Sequence, residues 1–204
     1  MRLLTGFAGL MALVYASVVG AAASESKPDL QRGQQIATTV CAACHGANGM
    51  SPSPSQPHLA GQGAGYIAAQ LAAFKSGARV NPIMQAMAAT LSPEDMQSVG
   101  AYFSMQKPVQ SAAHDKALAE SGQKIWRSGI KALGVPACAG CHGAGGHGIP
   151  IQYPRLAGQY PDLLLGWLKA YASGARSNEV MGQIAARLPE ADMKAVVEYA
   201  SGLQ

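Results

Sequence analysis

The chain is poor in charge. Only 13% of its 204 residues are Asp, Glu, Lys or Arg, and basic residues exceed acidic ones by four. So small a surplus gives no electrostatic footprint for nucleic acid. The polar bias of a disordered chain is also missing, because hydrophobic residues make up 49% of the whole. Cysteine is scarce, four in all, too few for a disulfide-dense scaffold in a chain this long. No convincing strand-type alternation is found. After residue 23 no run is long and apolar enough to span a membrane.

The first residues read as an address. Arg2 supplies one positive charge, Leu3 to Gly20 is an uncharged apolar run, and Ala21-Ala22-Ala23 is a small-residue cleavage site. This is the pattern of a secretory signal peptide over residues 1–23, cleaved on export. An uncleaved anchor is the competing reading, since the run approaches the length of a spanning helix. The mature chain is expected to be soluble and periplasmic.

The remainder repeats itself. At a shift of 97, Cys41-Ala42-Ala43-Cys44-His45 falls on Cys138-Ala139-Gly140-Cys141-His142. Leu59-Ala60-Gly61-Gln62 falls on Leu156-Ala157-Gly158-Gln159, and Ser76-Gly77-Ala78-Arg79 on Ser173-Gly174-Ala175-Arg176. Before the cysteines the shift is 89, matching Gly33-Gln34-Gln35-Ile36 to Gly122-Gln123-Lys124-Ile125, so the second copy carries eight extra residues between Ile125 and Cys138. Two copies indicate a duplicated domain rather than a solenoid, which stacks three or more. A Pro- and Ala-containing linker at 107–113 sets the expected domains at 24–108 and 109–204. Halves of about 90 residues are small for a self-sufficient core and need a staple, a role that a large apolar cofactor fills.

Both copies read as helical. In the first, helices are expected over 30–41 and 63–77, with a third starting at Ser92-Pro93-Glu94-Asp95: a capping hydroxyl, Pro in the first turn, then acids at the positive dipole end. The second copy repeats them over 115–131, 161–174 and 189–203. Stretches 46–61 and 143–158, rich in Gly and Pro, read as loops.

All four cysteines lie in two C-x-x-C-H motifs, the pattern of c-type haem attachment. Two thiols on one helical turn can each add across a haem vinyl group, and the next residue, His, then faces the iron. A thioredoxin-like pair wants a βαβ context, and zinc wants a fourth ligand at a suitable spacing. A disulfide within each motif leaves both histidines unexplained. The sixth iron position either takes a second ligand, Met in the c-type electron-carrier arrangement, or stays open to bind small molecules. Met84 pairs with Met181 and Met96 with Met193, so spacing alone does not choose. Met96 and Met193 sit on the apolar stripe of a marked helix, where core packing explains them. Met84 and Met181 fall in the stretch between helices, free to reach the far face of the haem, and are the favoured ligands. Met87 is a lesser rival, with Ile184 in its place in copy two. Pro57 and Pro154 each follow their histidine by 12 residues, and their carbonyls could orient its ring; stiffening of a loop is the alternative.

With these motifs the chain resembles class I c-type cytochromes and, in its duplicated layout, the dihaem cytochrome c4 family. The resemblance implies an all-α protein of two tandem class I cytochrome c domains, each built around one covalently bound haem c. It implies covalent attachment at Cys41, Cys44, Cys138 and Cys141, and axial iron ligands His45 with Met84 and His142 with Met181. It strengthens the orienting role of Pro57 and Pro154, and makes Gly33 with Tyr102, and Gly122 with Tyr199, close crossings of first and last helices. The implied function is single-electron transport between respiratory partners, from a cytochrome bc complex toward a terminal oxidase, not enzymatic turnover. Peripheral membrane association is compatible with it. A haem subunit of a dehydrogenase and a dihaem peroxidase-type enzyme are the alternatives. His58 departs from the basic residue expected there, where copy two has Arg155; both are read as solvated loop side chains, as are His114 and His147.

Overall fold

The computed structural model describes residues 27–204; the expected signal segment lies outside them. Helix α1 (Leu30–Ile36) starts at Asp29, whose side chain accepts from the Arg32 N–H, and runs through a π-helical turn at Ala37–Cys41 into α2 (Ala42–His45). The expected helix over 30–41 is thus present but not uniform. Thr38 Oγ1 donates to the Gln34 carbonyl at 2.9 Å and Thr39 Oγ1 to the Gln35 carbonyl at 2.8 Å, competing with the backbone ladder where it widens.

Next come α3 (Ala64–Ser76), between Gly63 and Gly77, and α4 (Pro82–Ala89). Helix α5 (Pro93–Ser104) opens on a capping box in which Ser92 and Asp95 bind each other's backbone N–H. An irregular segment, 107–115, leads into the second half. There α6 (Lys116–Ser128) is capped by Asp115 and closed by Gly129, shorter than the expected 115–131 because the inserted residues turn away at that glycine. Short α7 (Ala139–His142) carries the second motif, followed by α8 (Pro161–Ala172), α9 (Glu179–Ala185) and α10 (Glu190–Ser201). Among the described residues there is no strand, only isolated bridges at Ile130–Val135 and Ile149–Tyr153. No described helix is long and apolar enough to cross a membrane.

In each half the first helix crosses the last, α1 on α5 and α6 on α10, and the middle helices α3 and α8 pack on that pair. Glycine makes the crossings possible. A Cβ on Gly33 would stand 2.1 Å from the Ser98 carbonyl oxygen, and one on Gly122 only 1.9 Å from that of Ala195, with Tyr102 and Tyr199 beside them. Any larger residue would force the helices apart. Behind the crossings lie two separate cores, one around Leu71, Val99 and Phe103 and the other around Trp126, Leu164 and Val196.

Candidate functional site

Each C-x-x-C-H motif occupies the helical turn after the first helix, and both histidines are buried, at 8% and 7% exposure. His45 Nδ1 lies 2.9 Å from the Pro57 carbonyl oxygen and His142 Nδ1 3.0 Å from that of Pro154. A carbonyl only accepts, so Nδ1 carries the proton in each ring and Nε2 keeps its lone pair. Burial pushes both imidazoles below their ordinary pKa, and the proline carbonyls oppose this only in part. A neutral imidazole with a fixed tautomer is the metal-ligating form of histidine.

All four thiols are unpaired. Burial pushes Cys41 and Cys138 up to about 11, away from the thiolate that redox exchange uses. Nor do three His, Cys, Asp or Glu side chains converge as a metal cluster among the described residues.

Cys138, Cys141, His142 and Met181 line one cleft, walled by side chains such as Trp126 and Leu168. Its empty space, open mouth included, is about 690 Å³. In the first half Cys41, Leu59 and Met84 lie half-buried against the core. The local setting of the methionines differs from the expectation: Met84 and Met181 stand on short helices, not in open loop. Asn81 and Asn178 cap α4 and α9, accepting from the Met84 and Met181 N–H groups at 2.9 and 2.8 Å, and so place each methionine in the first turn. Met96 and Met193 are core residues at 4% and 5% exposure, while Met50, Met87 and Met105 are exposed.

His58 and Arg155 are not solvated loop side chains. His58 stacks on Tyr160 at 4.3 Å between ring centroids and accepts from the Ser51 N–H at 2.9 Å. The Arg155 guanidinium reaches the Ala157 carbonyl and His147 Nδ1. Their backbones form part of the contact between the halves, through Gln62 and Gln159. Sequence reasoning assigned these glutamines no role; the signal for them was their presence in both L-A-G-Q segments. His147 and His114 are exposed, and His114 Nδ1 lies 3.8 Å from Glu198 Oε1.

The sequence matches the Cytochrome c family profile twice, over residues 30–106 and 119–204. It is 39% identical over 178 residues to cytochrome c4 of Azotobacter vinelandii, covering 80% of this chain and 84% of that one. The crystal structure of reduced recombinant cytochrome c4 from Pseudomonas stutzeri superposes with a TM-score of 0.82 at 37% identity, covering 87% of this chain and all of that one. This chain belongs to the cytochrome c4 family. As a cytochrome c4-like protein it has two tandem cytochrome c domains, carries two haem c groups, and transfers electrons rather than catalysing a reaction. A further relative, 39% identical over 198 residues and covering 94% of this chain and 91% of its own, is the thiosulfate dehydrogenase electron acceptor of Stutzerimonas stutzeri strain A1501.

Proposed function

We propose that the chain is a periplasmic carrier that takes up and releases single electrons at two independently ligated haems. Domain one spans 24–108 and domain two 109–204, after removal of residues 1–23. Cys41 and Cys44 tether the first haem, Cys138 and Cys141 the second. His45 with Met84, and His142 with Met181, close the two irons. The observation that carries this reading is the second cleft, where both motif sulfurs, the buried imidazole and the Met181 thioether line one apolar space. The donor set fits the group: two thiols on one turn, an imidazole presenting a bare Nε2, and a soft sulfur in the same cleft.

When bound, the haem supplies an iron that changes charge by one electron. The chain does the rest. Pro57 and Pro154 hold the imidazoles in one tautomer, the α4 and α9 caps fix the methionine backbones, and the core side chains exclude water. A methionine available in each half argues against a peroxidase-type open iron. Partners are redox proteins, with a cytochrome bc complex as donor and a terminal oxidase as acceptor. A second reading, electron acceptor for a dehydrogenase, is favoured by the relative named as thiosulfate dehydrogenase electron acceptor.

The test is substitution of the methionines. Met84→Ala and Met181→Ala are each expected to lower one potential, open one iron to carbon monoxide, and abolish the weak near-infrared sulfur-to-iron band of that haem. If Met96→Ala or Met193→Ala does so instead, the axial assignment is wrong.

A further inference from the structure

Gln62 and Gln159 hold equivalent places in the repeat, and both are buried, at 8% and 6% exposure. Each reaches into the opposite half. Gln159 Oε1 accepts from the His58 N–H at 3.1 Å, and its Nε2 donates to the His58 carbonyl at 3.1 Å. Gln62 Oε1 accepts from the Arg155 N–H at 2.8 Å, and its Nε2 donates to the Arg155 carbonyl at 3.0 Å.

His58 directly follows Pro57, and Arg155 directly follows Pro154. The N–H held by each glutamine therefore belongs to the same peptide group as the carbonyl that holds the histidine. One line of hydrogen bonds runs from His45 Nδ1–H to the Pro57 carbonyl, across that peptide to the His58 N–H, and on to Gln159 in the other half. Its counterpart runs from His142 through the Pro154–Arg155 peptide to Gln62.

We propose that Gln159 is a positioning residue for the first haem and Gln62 for the second, each acting across the domain boundary by polarising the peptide that orients the opposite histidine. Hydrogen bonds in series strengthen one another. An acceptor on the peptide N–H makes the carbonyl oxygen more negative, and the oxygen then pulls harder on the Nδ1 proton. The imidazole becomes a stronger donor at Nε2 and favours the more positive, oxidised iron. The inference rests on the axial assignment proposed above. Its consequence is that neither domain sets its potential alone.

The experiment uses the full haem-loaded chain. Midpoint potentials are measured for Gln159→Met and Gln62→Met, each haem assigned to its half by the paramagnetically shifted proton resonances of its histidine. Gln159→Met is expected to raise the first potential and leave the second in place, shifting the electron distribution between the haems about two- to fivefold. Gln62→Met is expected to do the converse. Tyr160→Phe removes another bond of the same interface, Tyr160 O–H to the Ser51 carbonyl at 2.8 Å, while keeping the ring that stacks on His58 and the backbone N–H that donates to Gln159 Oε1, and is expected to move neither potential. Should the Met variants not fold, Gln159→Glu at a pH that ionises it keeps an acceptor and is expected to lower the first potential more than the second. The proposal is overturned if a glutamine variant moves its own domain's haem, both haems or neither, if Gln159→Glu fails to lower the first potential more than the second, or if Tyr160→Phe reproduces the shift. Absence of shifted His45 and His142 resonances in the unaltered protein would overturn the axial assignment instead.

Discussion

The two halves reach the same motif by different routes. In the first, the chain stays helical from Leu30 to His45, widening into a π turn before the first cysteine. In the second, the helix stops at Gly129 and the inserted residues form a small closed loop. Ile130 and Val135 pair at 2.9 and 3.1 Å, and Arg187 ties the Gly134 carbonyl at 3.0 Å. The cores differ in a matching way. Ala37 follows Ile36 where Trp126 follows Ile125, and Phe103 stands where the second copy has Ala200. All four are almost fully buried. Each core takes one large and one small residue at these two places, but the large one comes from the last helix in domain one and from the first helix in domain two. The duplication has exchanged which helix supplies the large side chain, the kind of change a close-packed core tolerates when neighbours repack.

The largest test of that comparison removes the cofactor from one side only. Cys41→Ala with Cys44→Ala is expected to halve the covalent haem seen by mass spectrometry and to unfold domain one, with domain two keeping its fold and its haem. Cys138→Ala with Cys141→Ala should do the reverse. A stably folded, haem-free domain would show that its core suffices without the porphyrin. Next in size are the exchanged residues. Phe103→Ala and Trp126→Ala should each cost about 3–5 kcal/mol in their own domain's unfolding transition. Ala37→Trp alone overpacks domain one; combined with Phe103→Ala it should recover part of the loss, a coupling of about 0.5–3 kcal/mol in a double-mutant cycle. Additive effects would mean that the two residues do not share one volume.

A smaller effect isolates the insertion. Val135 has no counterpart in domain one and is buried against Leu188 and Met193. Val135→Ala should cost about 2 kcal/mol, lowering the second domain's melting temperature by about 10 °C and leaving the first unchanged. An unchanged transition would make the loop an ornament rather than part of the core.

What could be read in the sequence was whatever is local or repeated. Ser92-Pro93-Glu94-Asp95 announces a helix because capping is settled within four residues. The C-x-x-C-H motifs were legible for the same reason, since each demand falls on one residue type at one place, whereas the glycines of the helix crossings were reached only through the family resemblance. Helices α4 and α9 were missed because eight and seven residues carry little periodicity, although Asn81-Pro82 is itself a start signal. The π turn was invisible, since Thr38 and Thr39 make it through side-chain bonds that compete only marginally with an ordinary turn. Gln62 and Gln159 were passed over because their partners lie 93 or 101 residues away, and His58 and Arg155 were misread because irregular loops give no periodicity to show which side chains fold inward.

The smallest expected difference between the domains is electrostatic. Arg32 Nε sits 2.7 Å from Asp95 Oδ1 in domain one, whereas the equivalent places in domain two hold Ser121 and Asp192. The Arg32 hydrogen bond, helped by the Ser92 N–H, holds the Asp95 carboxyl below its ordinary value of 3.8 against the opposing effect of burial. A carboxylate with a depressed folded-state pKa stabilises the fold fully above its unfolded value, and loses that contribution as pH falls through the folded value. Arg32 is exposed and Asp95 only partly buried, so salt and solvent keep the effect slight. Arg32→Ser, which copies domain two, should therefore lower the first domain's melting temperature slightly at neutral pH and by less near pH 2. Differential scanning calorimetry of the haem-loaded protein at both pH values would check this. An equal loss at pH 2 would mean that Arg32 acts through the packing of its aliphatic stem and not through its charge.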